Sequence, residues 1–214
     1  APAPASGGQH AVSATPSAAR TPDLEVELTA APGEVQLLPG ASTGVWRYSG
    51  RVLKGDPASL EQIPGSYLGP TFRVKHGQWV RIHFVNQLPE TSVVHWHGLL
   101  VPEAMDGHPM HAVGPGRTYT YEFEIRNRAG TYWYHPHPHE MTGKQVFQGL
   151  AGMFIINDTE EAALSLPSGQ YELPLVIQDK RISSNGITYN PSMEEVMAGY
   201  MGESIIVNGI YSSY

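Results

Sequence analysis

"TYTYEFEI", residues 118–125, alternates large apolar side chains with polar ones at every step. Tyr119, Tyr121, Phe123 and Ile125 fall on one side, and Thr118, Thr120, Glu122 and Glu124 on the other. A period of two marks a half-buried β-strand, because successive side chains of a strand point to opposite faces. "WVRIHFVN", residues 79–86, repeats the pattern, with Val80, Ile82 and Phe84 turned inward and Arg81 and His83 outward. Gly and Pro, 23 and 18 residues, fall between such runs, and turns are expected at "PGSYLGP" from Pro64 and "VGPGR" from Val113. Helical patterns are short: "TEEAAL" from Thr159 predicts one or two turns, and residues 191–202 a short helix. Many short strands separated by turns predict an all-β chain, folded as a β-sandwich.

The first stretch, residues 1–22, is rich in Ala, Pro, Ser and Thr and carries almost no large apolar side chains. It is expected to be a flexible tail, with His10 solvated. The strand pattern occupies residues 23–168, fades between Asn157 and Gln170, and restarts in "YELPLVIQDKRI" and "ESIIVNGIY". Residues 169–214 therefore read as the start of a second unit. That unit is far shorter than the roughly 100 residues a sandwich needs, so it is expected to be incomplete, finished by another chain or missing.

An apolar fraction of 41% and a charged fraction of 15% are those of an ordinary globular chain. A net charge of −7 argues against nucleic acid as a partner, since phosphate binding needs a basic face. The absence of cysteine removes disulfides, thiolate zinc sites, iron–sulfur clusters and a cysteine nucleophile. The longest apolar run, "GLAGMFII" from Gly149, falls short of the roughly 20 residues of a membrane span, so none is expected. The charged start and apolar run of a signal peptide are not found, and any such segment is expected to have been removed already.

Chemistry concentrates in the histidines. "HWHG" opens at His95, and "HPHPH" runs from His135 to His139. On a strand, residues i and i+2 point the same way, about 6.5 Å apart. His95 and His97 are thus expected to share a face, with Trp96 on the other, and His135 and His137 to do the same. If the two strands are neighbours, four imidazoles converge, an arrangement that suits a cluster of metal ions better than a single one. Pro136 and Pro138 cannot donate to a ladder, so their strand is expected to be leaving the sheet or at its edge. Gly98 permits close backbone approach. A single His-x-His pair reads equally well as two surface imidazoles; two pairs, each flanked by aromatics and Gly or Pro, point to metal. Imidazole ligation suits copper, zinc, iron or nickel. The His-x-His-x-Asp-His pattern of zinc hydrolases is not met, since Asp106 lies well beyond His97.

"HWHGLLVPEAMDGHP", "YWYHPHPHEMTGKQVFQGLAGMFIIND", "LGPTFRVKHGQWVRIHFVNQLP" and "LPLVIQDKRISSNG" resemble the multicopper oxidases. The likeness is to the first domain, and the entry into the second, of bacterial copper efflux oxidases and bilirubin oxidase-like laccases, over roughly residues 24–210. It implies a cupredoxin-like Greek-key β-sandwich followed by the first strands of a second cupredoxin domain, in a family that stacks three. It implies type 1 copper in the third domain, taking electrons one at a time. A trinuclear cluster of type 2 and binuclear type 3 copper, between domains one and three, then reduces dioxygen to water. By the same pattern His95 corresponds to a type 2 ligand, and His97, His135 and His137 to ligands of the type 3 pair. Asp106 matches an acidic position that helps deliver protons, with Glu103 a weaker candidate; a plain turn aspartate before Gly107 is the alternative. His139 matches no ligand and is expected behind the ligands or lining a channel. His108 and His111 are expected in the following loop, and His76 and His83 to be structural or exposed in strands. Met193, Met197 and Met201 recur at helical spacing and are expected to pack into a core.

In the family, the other cluster histidines and the type 1 ligands, one a cysteine, belong to the third domain, and this chain has none of them. The resemblance therefore implies the N-terminal part of a laccase-like oxidase, with the C-terminal remainder as a separate chain. Dioxygen and a small-molecule reductant (phenols, bilirubin-like pigments or Cu(I)) are the expected reactants, and a secreted or periplasmic location is expected. Two alternatives stay open: a stand-alone cupredoxin-like module that binds or delivers copper, and a zinc-dependent hydrolase.

Overall fold

The two clearest alternating runs both become strands, at Trp79–Asn86 and Thr118–Glu124. The computed structural model describes residues 20–183 and 186–210, so the tail expected over residues 1–22, His10 included, lies outside the described residues except for its last three. Nine strands build the first part: β1 (Leu24–Val35), β2 (Thr43–Lys54), β3 (Leu60–Glu61), β4 (Thr71–Lys75), β5 (Trp79–Asn86), β6 (Val94–His97), β7 (Thr118–Glu124), β8 (Gly130–Pro136) and β9 (Gly152–Asn157). They form a four-stranded sheet in the order β2-β1-β5-β7 and a five-stranded sheet in the order β3-β4-β9-β8-β6. The β1–β5 and β4–β9 pairs are parallel; the others are antiparallel.

The inward residues read from sequence meet between the two sheets. Val80, Ile82 and Phe84 of β5 and Tyr119, Tyr121 and Phe123 of β7 are buried against Phe72, Tyr134, Phe154 and Trp96 of the opposite sheet. Trp96 is the central piece, with ring centroids 5.2–6.0 Å from Phe72, Tyr121, Phe123, Tyr134 and Phe154. Aromatic pairs of this kind add about 0.5–1.5 kcal/mol each beyond the area they bury. A cross-sheet hydrogen bond fixes β6 further, Val94 N donating to Tyr121 Oη at 2.9 Å.

Beyond β9 lie α2 (Thr159–Ala163), β10 (Ile177–Lys180), β11 (Ile182–Ser183), β12 (Gly186–Ile187), α3 (Met193–Ala198) and β13 (Ser204–Val207), while α1 (Thr142–Phe147) joins β8 to β9. β10 pairs with β13 and β11 with β12. The buried Ile187 and Ile206 pack onto Val35, Leu37, Val45, Tyr67, Leu68, Phe147 and Ala151, residues of the first part. Lys180 is buried at this contact, its Nζ donating to the carbonyl of Phe147 at 2.8 Å at the end of α1.

Two expectations need correcting, a third is met in one of its two forms, and one helix was not foreseen. Of the two places expected for the proline segment the first holds: β8 is not an edge strand, since β6 lies outside it, but the chain leaves the sheet at the prolines, where the ladder ends at the Val94–Pro136 rung. Helix α1 has no counterpart in the sequence reading, because six residues containing a glycine, with no side-chain N-cap, carry no local helical signal. The methionine stripe is not core: Met193, Met197 and Met201 are 82%, 84% and 74% exposed, and Tyr189 and Tyr200 reach the apolar cluster instead. His76 sits in the turn after β4 rather than in a strand, its Nδ1 2.9 Å from the carbonyl of Asn127.

Candidate metal centre

β6 and β8 pair antiparallel with His95 opposite His135 and His97 opposite Trp133. The pleat then sends Trp96 and Tyr134 into the core and His95, His97, Trp133 and His135 to the outer face. His137 follows one step past the last rung, where its N–H donates to the carbonyl of Val93 at 3.2 Å. His95 is the hub: its ring centroid lies 5.5 Å from His97, 5.3 Å from His135 and 5.5 Å from His137. His135 is 5.4 Å from His97 and 5.9 Å from His137. All four rings read from the sequence are thus brought together.

The donor set fits a metal that favours nitrogen. Ligand atoms of His95, His97 and His135 lie within 4.8 Å of one another, and His97 Nδ1 stands 3.2 Å from His135 Nε2. Two imidazole nitrogens bound about 2.0 Å from a shared ion are roughly 3 Å apart, so the pair is already close to that spacing. His95 Nδ1 is 2.6 Å from the carbonyl of Asp106, and His135 Nδ1 is 2.9 Å from that of Pro136. A carbonyl only accepts, so both Nδ1 atoms carry the proton and both Nε2 lone pairs are left for a ligand role. Burial pushes His135 down to about 4, its bond to Pro136 opposing this and the neighbouring imidazoles adding to it. At neutral pH that ring is unprotonated, as metal binding requires.

Glycines shape the loops around the face. Gly98 has φ +84 and a Cβ there would press on Tyr132, while the Asn127 side chain bonds Gly98 O and Leu100 N, both at 2.8 Å. Gly107 has φ +78, and a Cβ there would collide with the carbonyl of Val94, so the Asp106 turn lies directly on β6. Asp106 gives His95 its backbone carbonyl; its carboxylate is 3.5 Å from the same Nδ1 and 45% exposed. Glu103 begins the short helical turn before it and is exposed. His139 is exposed, with Nε2 3.6 Å from Glu140, and makes no ring contact with the four among the described residues. His108 and His111 lie in the expected loop, His111 stacked on Tyr119 at 5.7 Å.

The sequence reading missed Trp133, which stacks on His135 at 4.2 Å and lies 5.0 Å from His97. Its position two before His135 placed it on the same face, a signal that was present in the alternation. One side of the centre stays open, since His97 and His137 are exposed.

The sequence profile described as multicopper oxidase matches residues 47–161. The chain is 40% identical over 146 residues to the multicopper oxidase mco of Staphylococcus haemolyticus, covering 68% of this chain and 32% of that protein. It is 32% identical over 163 residues to the cell division protein FtsP of Escherichia coli, covering 75% of this chain and 34% of that protein. Among solved structures, McoA multicopper oxidase from the hyperthermophile Aquifex aeolicus superposes with a TM-score of 0.74 at 39% identity, covering 89% of this chain and 39% of that one. The chain spans about a third of the length of the curated relatives it matches. Its all-β fold is the cupredoxin-like one expected.

Proposed function

The chain belongs to the multicopper oxidase family, and from that premise we propose that it supplies half of a trinuclear copper centre in a laccase-like oxidase. His95 is the type 2 ligand, and His97, His135 and His137 ligate the type 3 pair. The observation that carries this reading is the convergence of four imidazoles with two Nε2 lone pairs left unengaged by backbone. Copper held there supplies one-electron redox steps that together reduce dioxygen to water at the expense of phenols, bilirubin-like pigments or Cu(I). The chain's own residues hold, orient and shield. The carbonyls of Asp106 and Pro136 fix two rings, Trp133 covers His135, and the Asp106 carboxylate, part-exposed beside His95, is placed to pass protons inward.

The remaining ligands, including a type 1 site with cysteine, come from outside these 214 residues. Support comes from the open side of the centre and from an apolar stripe beside it. Leu173, Leu175 and Ile177 are 78%, 61% and 67% exposed, and Leu175 shares a cavity of about 250 Å³ with Trp133 and Met153. Exposed apolar surface of this kind marks an interaction site. In this reading residues 23–168 are a first cupredoxin domain and residues 169–214 the start of a second, in a secreted or periplasmic protein. No helix among the described residues is long and apolar enough to cross a membrane.

A second reading, a stand-alone copper-binding module, draws on the fact that the first sandwich buries its own core. One experiment separates the two: copper stoichiometry, electron paramagnetic resonance and oxygen uptake on the protein as isolated, with any co-purifying chain. The oxidase reading expects oxygen reduction that His97→Ala abolishes while type 1 blue colour remains, and that Asp106→Asn slows at unchanged copper content. A single 23.3 kDa species that binds copper but consumes no oxygen would leave the module.

A further inference from the structure

The two histidine segments end differently. β6 is held on one side by β8 and from across the core by Tyr121. β8 runs out of ladder at Pro136, and neither Pro136 nor Pro138 has an N–H to give, so the backbone link at His137 is its single bond to Val93. The chain then turns through Glu140 at φ 61 into α1, whose N-cap, Met141, offers no side-chain bond. Beyond the bond to Val93, no hydrogen bond of the described residues 137–141 ties α1 to the segment before β6, since Met141 N and Thr142 Oγ1 both donate to Pro138 O within the turn itself.

Gln145 does. It is 0% exposed, and its amide is engaged on both ends. Oε1 accepts from Ser92 Oγ at 2.8 Å, while Nε2 donates to Thr91 O at 2.8 Å and Glu90 Oε1 at 3.0 Å. Lys144 Nζ binds the other oxygen of the same glutamate. Residues 90–92 lead directly into Val93, Val94 and His95. Ser92 also exchanges both backbone bonds with Val113, at 2.9 and 3.0 Å, which anchors the far end of the loop whose Asp106 carbonyl holds His95. One buried amide therefore ties together the segment after His137, the segment before His95 and, through Ser92, the loop that orients His95. An apolar side chain of the same length would fill the space; three directional bonds also set the register.

We propose that Gln145 is a positioning residue of the metal centre, fixing the spacing of the two histidine segments so that His95 and His137 face the same ions. This rests on the reading of the four histidines as copper ligands, and Gln145 touches none of their rings. The test titrates the full chain with Cu(II) against a competing chelator, records the electron paramagnetic resonance spectrum, and follows thermal unfolding without metal. Gln145→Met should weaken Cu(II) binding roughly 10–100-fold, the range for losing a group that orients ligands, and change the copper hyperfine pattern. Ser92→Ala should weaken it several-fold. Val74→Ala, in the core of β4, should lower the unfolding midpoint and leave affinity and spectrum as in the parent.

Parent-like affinity and spectrum in Gln145→Met overturn the proposal, as does an equal loss of copper in Val74→Ala. If Gln145→Met does not fold, Ser92→Ala decides, and parent-like binding there overturns it. His135→Ala separates the two levels. If it loses copper while Gln145→Met keeps it, the positioning role falls and the ligand reading stands. If His135→Ala also binds as the parent does, both fall.

Discussion

His83 and His135 occupy equivalent places on opposite sheets, each pointing outward from the middle of the molecule's strand pattern, and their neighbours differ completely. His83 Nε2 lies 2.7 Å from Glu25 and its Nδ1 3.1 Å from Thr120 Oγ1, so both nitrogens are taken by side chains of the adjoining strands. Around it the face is built from opposite charges, such as Arg81 with Glu122 and Arg51 with Glu27, each at 2.9 Å. His135 has one nitrogen on a backbone carbonyl and the other facing an imidazole, with Trp133 stacked on its ring. Among the described residues no carboxylate offsets its burial, and its affinity for a proton drops accordingly. Strand position decides which way a histidine faces. Its partners decide what it is for.

The contrast depends on a shared scaffold, and removing that scaffold is the most damaging test. Trp96 stands behind the imidazole face and touches Tyr121 and Phe123 of the sheet that carries His83. Trp96→Ala should cost about 3–5 kcal/mol, the range for emptying a fully buried aromatic site, measured as a shift in chemical denaturation. A loss below about 1 kcal/mol would mean that the two faces do not share one support.

Next in size comes the exchange at the centre itself. His135→Gln keeps a polar side chain but removes the imidazole, so Cu(II) affinity should fall at least about 100-fold, beyond the usual loss for an orienting partner. Competitive titration measures it; parent-like affinity would erase the distinction between the two histidines.

What the sequence made legible was local. The i, i+2 spacing of His95/His97 and His135/His137 sets each pair on one face whatever the fold around it, and the alternation in β5 and β7 names the buried side chains directly. What it withheld depends on contacts distant in the chain. That His95 stands opposite His135 is a matter of strand order, and so is the place of β8 inside rather than at the edge. Gln145 lies in six residues with no helical signal of their own, and its partners are more than fifty residues earlier in the chain. Met193 and Met197 show the reverse error: helical spacing is real, α3 exists, and yet no core receives that side of it.

A third basic group sharpens the comparison. Lys180 is buried, its Nζ on the carbonyls of Val146 and Phe147 and 4.7 Å from the Phe147 ring. Burial lowers it from 10.5 to about 8, with Asp179 opposing the change. Below pH 8 both folded and unfolded states carry the proton, and the cost of the buried charge is fully present. Between pH 8 and 10.5 the unfolded chain binds more protons than the folded one, so this group makes stability rise with pH. The contribution is on the order of 2 kcal/mol. Lys180→Met should remove that rise, seen as a flatter dependence of the unfolding midpoint on pH between 8 and 10.5; parallel curves for parent and variant would place the ammonium in water.

The smallest effect is expected where the comparison began. His83→Gln keeps hydrogen-bonding capacity toward Thr120 and loses the imidazole contact with Glu25, on a face where both side chains are about one-quarter exposed. Part-exposed pairs of this kind contribute about 0.2–1 kcal/mol, so the unfolding free energy should change by less than that and copper binding not at all. The null effect on copper is the informative half, because it holds only if outward orientation by itself confers no affinity. A loss of copper in His83→Gln matching that in His135→Gln would show that the metal is sensing the stability of the sandwich, not the imidazoles gathered on one of its faces.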